Sequence, residues 1–160
     1  MRTAVSGRRR RAGRVADHPA SDDGPTLYLE SSAVVASLIE GDAAAMTAIR
    51  QARTAASALT FAEARRSLLR AMVSGRLSGE EVTIAETELR RIESGCMILG
   101  VDDQILARTG RRFPVEPVRT LDAIHLATAE RIDDPAAPIT ILTRDARIRE
   151  NAVLLGMRVV

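Results

Sequence analysis

The sequence has no lysine and no tryptophan, and its 160 residues include one cysteine, one tyrosine and two phenylalanines. Each scarcity excludes a class of function. Cys96 has no partner for an internal disulfide and no zinc-binding spacing around it, so a reducing, cytoplasmic setting is the default expectation. With so few aromatics, base stacking contributes little to any nucleic-acid contact. Neither phosphate-cradling pattern, G-x-x-x-x-G-K-[ST] or G-x-G-x-x-G, occurs. The longest apolar runs are far too short to cross a bilayer and no hydrophobic signal segment opens the chain, so no membrane partner is expected. What is present is the near-zero mean hydropathy of a soluble globular protein, in a chain long enough for one domain with a sizeable core.

All 23 basic side chains are arginine, and they are unevenly placed. Residues 1–25 hold six of them against Asp17, Asp22 and Asp23, whereas the rest of the chain sets 17 arginines against 18 acids. The basic pI therefore comes mostly from the first segment, and net charge alone does not mark the body as a nucleic-acid binder. Residues 1–25 are rich in Arg, Gly, Asp and Pro and lack apolar periodicity, which predicts a disordered basic extension. The Arg8–Arg11 run is read first as a solvated tail, with contact to RNA phosphates as the functional alternative.

Regular structure is expected from Thr26 onward. Thr26–Glu30 is β-prone, and helices follow over about 33–40 and, capped by Asp42, over about 43–52. A second strand is expected at Ala55–Leu59. Thr60-Phe61-Ala62-Glu63 then reads as a capping box opening a helix to Val73. A second box, Ser78 to Glu81, opens a helix to about Glu93 with Val82, Ile84, Ala85, Leu89 and Ile92 as its apolar positions. Cys96–Val101 reads as a buried strand, and Asp102 caps a helix to about Gly110. Thr120 opens another helix, with Leu121, Ile124, Ala127 and Ala129 as its apolar side and Leu126 and Ile132 flanking. Ile139–Leu142 and Met157–Val160 complete the strands around a helix from about Asp145 to Leu155. Strands alternating with helices imply an α/β fold, a single domain over residues 26–160 built on a parallel sheet flanked by helices.

Parallel sheets bind ligands outside the carboxyl ends of their strands, so acids at strand-to-helix junctions are the candidates. Glu30 ends the first strand, Glu63 lies in the first turn after the second, Asp122 opens its own helix, and Asp145 follows the Ile139–Leu142 strand. Together they form the oxygen-only donor set that a hard divalent cation takes. Three have structural alternatives: Glu63 completes a capping box, Asp122 complements a helix dipole, and Asp145 serves as an N-cap. Glu30 has no evident capping role. Asp102 and Asp103 also lie at a strand end, and placement alone leaves them as competitors.

Tyr28-Leu29-Glu30-Ser31-Ser32-Ala33 resembles the opening of PIN-domain proteins, and Leu121-Asp122-Ala123-Ile124-His125-Leu126-Ala127 is similar to that family's most characteristic segment. Leu142-Thr143-Arg144-Asp145 resembles its final Thr-x-Asp, and Glu63 stands where the second acid is expected. The resemblance runs from Thr26 to Val160, and in size and motif style it is most similar to VapC toxins. It implies a Mg²⁺- or Mn²⁺-dependent ribonuclease, with Glu30, Asp122 and Asp145 as metal ligands and Glu63 completing the cluster or orienting water. Ser32 and Thr143 would hydrogen-bond the ligands. It further implies RNA as substrate, a homodimer, and a small antitoxin partner whose C-terminal segment covers the acids.

One departure bears on activity. The family's first acid is usually Asp; Glu30 carries its carboxylate about one bond length further out, and Mg²⁺ demands near-octahedral geometry. A catalytically weakened PIN-like binding protein is therefore the alternative to a working nuclease. A receiver-type phosphoacceptor, which also gathers acids at strand ends, is disfavoured because it relies on a lysine. His125 is read as structural or as a support to the acids, and Cys96 as packing. Arg65, Arg66 and Arg70 on one helix, with Arg108, Arg111 and Arg112 near another, are candidates for RNA phosphates or simply solvated faces.

Overall fold

The computed structural model describes residues 26–160, so the expected basic extension lies outside the described residues. Five parallel strands form one sheet in the order β3-β2-β1-β4-β5. They are β1 (Thr26–Leu29), β2 (Arg53–Ser57), β3 (Cys96–Leu99), β4 (Thr140–Leu142) and β5 (Arg158–Val159). Helices α1 (Ser31–Ile39), α2 (Ala43–Gln51), α3 (Ala58–Val73) and α4 (Gly79–Ser94) lie between the first three strands, followed by α5 (Asp103–Thr109), α6 (Thr120–Ile132) and α7 (Ala146–Leu154). The expected α/β fold, a parallel sheet flanked by helices, is present.

The alternation of β1 side chains divides the core in two. Leu27 and Leu29 face a cluster with Phe61, Leu68 and Leu89 from α3 and α4. Tyr28 faces the other way, into Leu126, Ile141 and Ile148. The chain leaves β1 toward β2 and β3, then returns to the other side for β4 and β5. The strand order thus reverses between β1 and β4, which is where an open α/β sheet leaves its binding crevice. The register aligns Leu29 with Leu142, so Glu30 and Thr143 are the next residues at the mouth of that crevice. Glu30 N–H donates to the Leu142 carbonyl at 3.1 Å, closing the ladder there.

Several expectations are corrected. β2 ends at Ser57 rather than Leu59, because Ser57 Oγ accepts from Leu59 N–H and starts α3 two residues before Thr60. Thr60 is then inside the helix, where its hydroxyl donates to the Leu29 carbonyl at 3.0 Å; it heads no capping box. The Ser78–Glu81 box forms as expected. β3 is an edge strand paired only with β2, so Met97 is 51% exposed where a buried strand was expected. On α6, Ile124, Ala127 and Ala129 are buried as expected, but Leu121 is 44% exposed and Leu126, expected to flank that face, is fully buried. Residues 123–129 are all buried, and a helix enclosed on nearly every side has no single apolar stripe to read. Gly156, at φ +89°, takes the left-handed turn that releases the chain from α7 into β5.

Candidate active site

Glu30 sits between β1 and α1, 3% exposed, and it is the N-cap of α1: its side chain accepts from Ser32 N–H at 3.0 Å. This overturns the expectation that it has no capping role. Oε1 also accepts from Ser31 Oγ at 2.8 Å. Oε2 accepts from Thr143 Oγ1 at 2.7 Å and from Ser32 Oγ. A carboxylate offers about four lone-pair sites, and here the chain's own donors fill all four. Both hydroxyls also accept: Ser32 Oγ takes Arg144 N–H at 2.8 Å and Thr143 Oγ1 takes Asp145 N–H at 3.0 Å. A hydroxyl can donate and accept at once, which is why Ser32 and Thr143 can tie Glu30 to the β4–α7 turn.

That turn places Asp145 as N-cap of α7. Its Oδ1 accepts from Arg147 N–H at 2.8 Å and Ile148 N–H at 2.9 Å, while Oδ2 has no hydrogen bond among the described residues. Asp122 projects from the first turn of α6 and is bonded to no described side chain or backbone donor. Burial raises its carboxyl above the ordinary range, and the carboxylates of Asp145 and Glu30 raise it further against the opposing charge of Arg119 and His125. Asp122 and Asp145 share a cleft of about 510 Å³ bounded by Arg119 and Arg147.

Glu63 turns elsewhere. Because α3 begins at Ala58, Glu63 lies in the second turn rather than the first, and its Oε2 meets His125 Nε2 at 2.8 Å. Burial alone would push its carboxyl up, but the His125 hydrogen bond and charge, with Ser31 and Arg70 behind them, hold it below the usual range. His125 is buried on α6, its Nδ1 at 3.2 Å from Tyr28 Oη and its Nε2 at 4.0 Å from Glu30 Oε1. Burial raises the Tyr28 phenol strongly, and the His125 ring links that phenol on one nitrogen to Glu63 on the other. His125 thus joins the site by bridging Glu63 to the core beneath Glu30.

A PIN-domain family profile matches residues 27–154, which include β2 to β4, nearly all of β1, the crevice and all four acids. The chain belongs to the PIN-domain family. Ribonuclease VapC46 of Mycobacterium tuberculosis is 36% identical over 137 residues, covering 84% of this chain and 95% of that protein. Two solved structures share the fold. VapBC2 from Rickettsia felis, bound to a DNA fragment from its promoter, has a TM-score of 0.57 at 11% identity, covering 84% of this chain and 97% of that one. A toxin–antitoxin complex from Klebsiella pneumoniae has a TM-score of 0.53 at 19% identity, covering 84% and 95%.

In this PIN domain the quartet divides into two open acids and two engaged ones. Asp122 and the free oxygen of Asp145 face the cleft, whereas Glu30 is occupied by its cap and Glu63 by His125. Among the described residues, no three His, Cys, Asp or Glu side chains close into a ready metal cage. The donor chemistry nevertheless suits a divalent ion of the Mg²⁺ kind. Such ions keep several waters and are held by one or two carboxylates plus substrate phosphates rather than by an all-protein cage. Divalent-metal dependence is general among VapC-type ribonucleases.

The competing acids fall away on position. Asp102 caps α5, accepting from Gln104 and Ile105 N–H, and Asp103 follows it in the first turn. Both lie beyond β3, two strand spacings or about 10 Å from β1. The arginines also separate. Arg65 pairs with Glu93, and Arg108 pairs with Glu130 while stacking on Phe113. Arg66 and Arg70 instead line a groove of about 420 Å³ beside Glu63. Sequence reasoning missed Arg119, which stands against Asp122; its spacing of three residues from that acid on one helix start was the available signal. Cys96 is partly buried on the edge strand, and burial raises its thiol to about 11, which leaves it a poor nucleophile. No single helix among the described residues is long and apolar enough to cross a membrane.

Proposed function

We propose that Asp122 and Asp145 hold a divalent ion, Mg²⁺ or Mn²⁺, at the β1–β4 crevice, and that the chain hydrolyses RNA phosphodiesters there. The chain is a PIN-domain ribonuclease of the VapC toxin kind. The observation that carries the assignment is the state of Asp122: a carboxylate without a hydrogen-bond partner among the described residues, its proton affinity raised by burial and by two further acids. That is a focus of uncompensated negative charge, which a cation relieves. When bound, the ion supplies activation of water for in-line attack and neutralises charge on the leaving oxygen.

The protein's own groups set the geometry around it. Ser32 and Thr143 fix the Glu30 carboxylate and, through Arg144 and Asp145 N–H, the turn that aims Asp145. Glu30 adds its charge to that at Asp122. Glu63, ionised and steadied by His125, accepts a hydrogen bond from water entering its groove. The same reading carries a small antitoxin as partner, a homodimer and a cytoplasmic setting.

The test is cleavage of a single-stranded RNA by EDTA-stripped protein, with and without added Mg²⁺ or Mn²⁺. Wild type should cleave only with metal. Asp122→Asn should lose at least about 100-fold in rate, the scale of removing one preorganised charge-stabilising group. Metal-independent cleavage, or full activity of Asp122→Asn, overturns the assignment.

A second reading rests on Glu30. Its four acceptor sites are engaged by the chain's own donors, which favours a weakened site in a PIN-like binding protein. Glu30→Asp separates the two: a gain of metal-dependent cleavage from an inert wild type supports the weakened site, and an active wild type excludes it.

A further inference from the structure

We propose that Arg66 and Arg70 of α3, and Arg119 before α6, grip backbone phosphates on the two sides of the acid cleft, so that a single RNA strand crosses the Leu121–Asp122 ridge. This rests on the ribonuclease reading and names the residues that position its substrate.

Two cavities meet at that ridge. One, beside Glu63, is lined by Arg66, Arg70 and Ser32, with Leu121 at its edge. The other holds Asp122, Asp145 and Arg119. Ser32 bonds to the β4–α7 turn that carries Asp145, so the groove and the cleft share a wall. A strand lying in both passes the two open acids between one set of arginines and the other.

Arg66, Arg70 and Arg119 line the two cavities with no carboxylate at ion-pair distance among the described residues. Arg50, Arg65, Arg108 and Arg144 each have their charge answered by a carboxylate at ion-pair distance. The Arg66 side chain has no hydrogen bond or ion pair among the described residues, and the Arg70 side chain gives one bond, to Ser67 Oγ at 2.8 Å, and reaches Glu63 only through its charge. The Arg119 side chain makes no hydrogen bond among the described residues and touches the cleft through its charge on Asp122. Arg66 and Arg70 are one helical turn apart on an exposed face, so both can serve one strand. A chain with three aromatic residues has little stacking to offer, which leaves phosphate contact as its main source of RNA affinity.

The experiment follows binding of a labelled single-stranded RNA to the full chain in EDTA, as KCl rises from 50 to 200 mM. Each phosphate contact on a single strand contributes about 0.7 to the slope of log K against log salt. The double variant Arg66→Ala/Arg70→Ala should therefore flatten the slope by about 1.4, so that wild type loses about sevenfold more affinity than the variant over this range. Arg119→Ala should flatten it by about 0.7. Arg76→Ala removes an exposed arginine just beyond α3 and away from the cleft, and should leave the slope unchanged. All these positions are exposed, and Arg→Ala raises helix propensity within α3, so equal thermal midpoints will show that folding is intact. An unchanged slope in the double variant, or an equal change in Arg76→Ala, overturns the inference. So does absence of RNA binding by wild type. Failure to cleave in Mg²⁺ or Mn²⁺ while RNA binding and the slopes stand as described would instead overturn the ribonuclease reading alone.

Discussion

At the scale of single residues, one methylene decides what the Glu30 carboxylate can reach. An Asp at that position would project toward the crevice on a shorter stem; Glu30 folds back over the first turn of α1, where Ser31, Ser32 and Thr143 meet it. Asp122 has the opposite circumstances. It is half-buried beside two acids, with no hydrogen bond to offset the charge. Its folded-state pKa is raised, so the stability linked to it is present below the ordinary carboxylate pKa and is lost as pH rises through the folded value. Asp122→Asn should therefore raise Tm at pH 7 in EDTA, and the gain should vanish below the carboxylate range. Millimolar Mn²⁺ should raise Tm of wild type and leave the variant unmoved. Thermal scans at pH 7 and pH 3.5 check this; a lower Tm for Asp122→Asn at pH 7 would show that the acids do not repel one another.

At the scale of elements, the start of α3 sets where Glu63 points. Ser57 ends β2 and caps the helix in one residue, which turns Glu63 toward His125 rather than into the Asp122 cleft. Ser57→Ala should cost about 1 kcal/mol in urea unfolding, the usual value of an N-cap; no loss would mean that the helix starts elsewhere. The Thr60–Glu63 pattern imitates a capping box because local sequence cannot show that the Thr60 hydroxyl is engaged across the sheet by Leu29. The same limit explains the other differences. Pattern reading found every strand and the three acids at the crevice, because hydrophobic runs and junction residues are local signals. It placed Met97 inside because nothing local marks β3 as an edge, and it misjudged Leu121 and Leu126 because α6 is enclosed by α5, α7 and β2. Glu30 was legible as an acid at the strand-to-helix junction but not as a cap, since three of its four hydrogen bonds are made by hydroxyls, one of them 113 positions away on Thr143.

At the scale of the whole molecule, the reversal of strand order between β1 and β4 explains why acids distant in sequence meet. β1 and β4 deliver Glu30 and Asp145 side by side, and α6, packed behind them, adds Asp122. The sheet is held by apolar clusters on both faces, so the crevice is a rigid edge on which small shifts in an acid's reach matter. The body is almost neutral, so the local arrangement at this edge, acids within and Arg66, Arg70 and Arg119 beside them, is what a charged substrate meets there. The central claim is that Asp122 and Asp145 are the groups that hold the catalytic ion. The half-saturating Mn²⁺ concentration for RNA cleavage tests it most directly, compared between wild type and Asp145→Asn. The account expects the variant to need at least about tenfold more Mn²⁺, a loss of roughly 1.4 kcal/mol in ion binding. An unchanged half-saturation point, with cleavage retained, would contradict it.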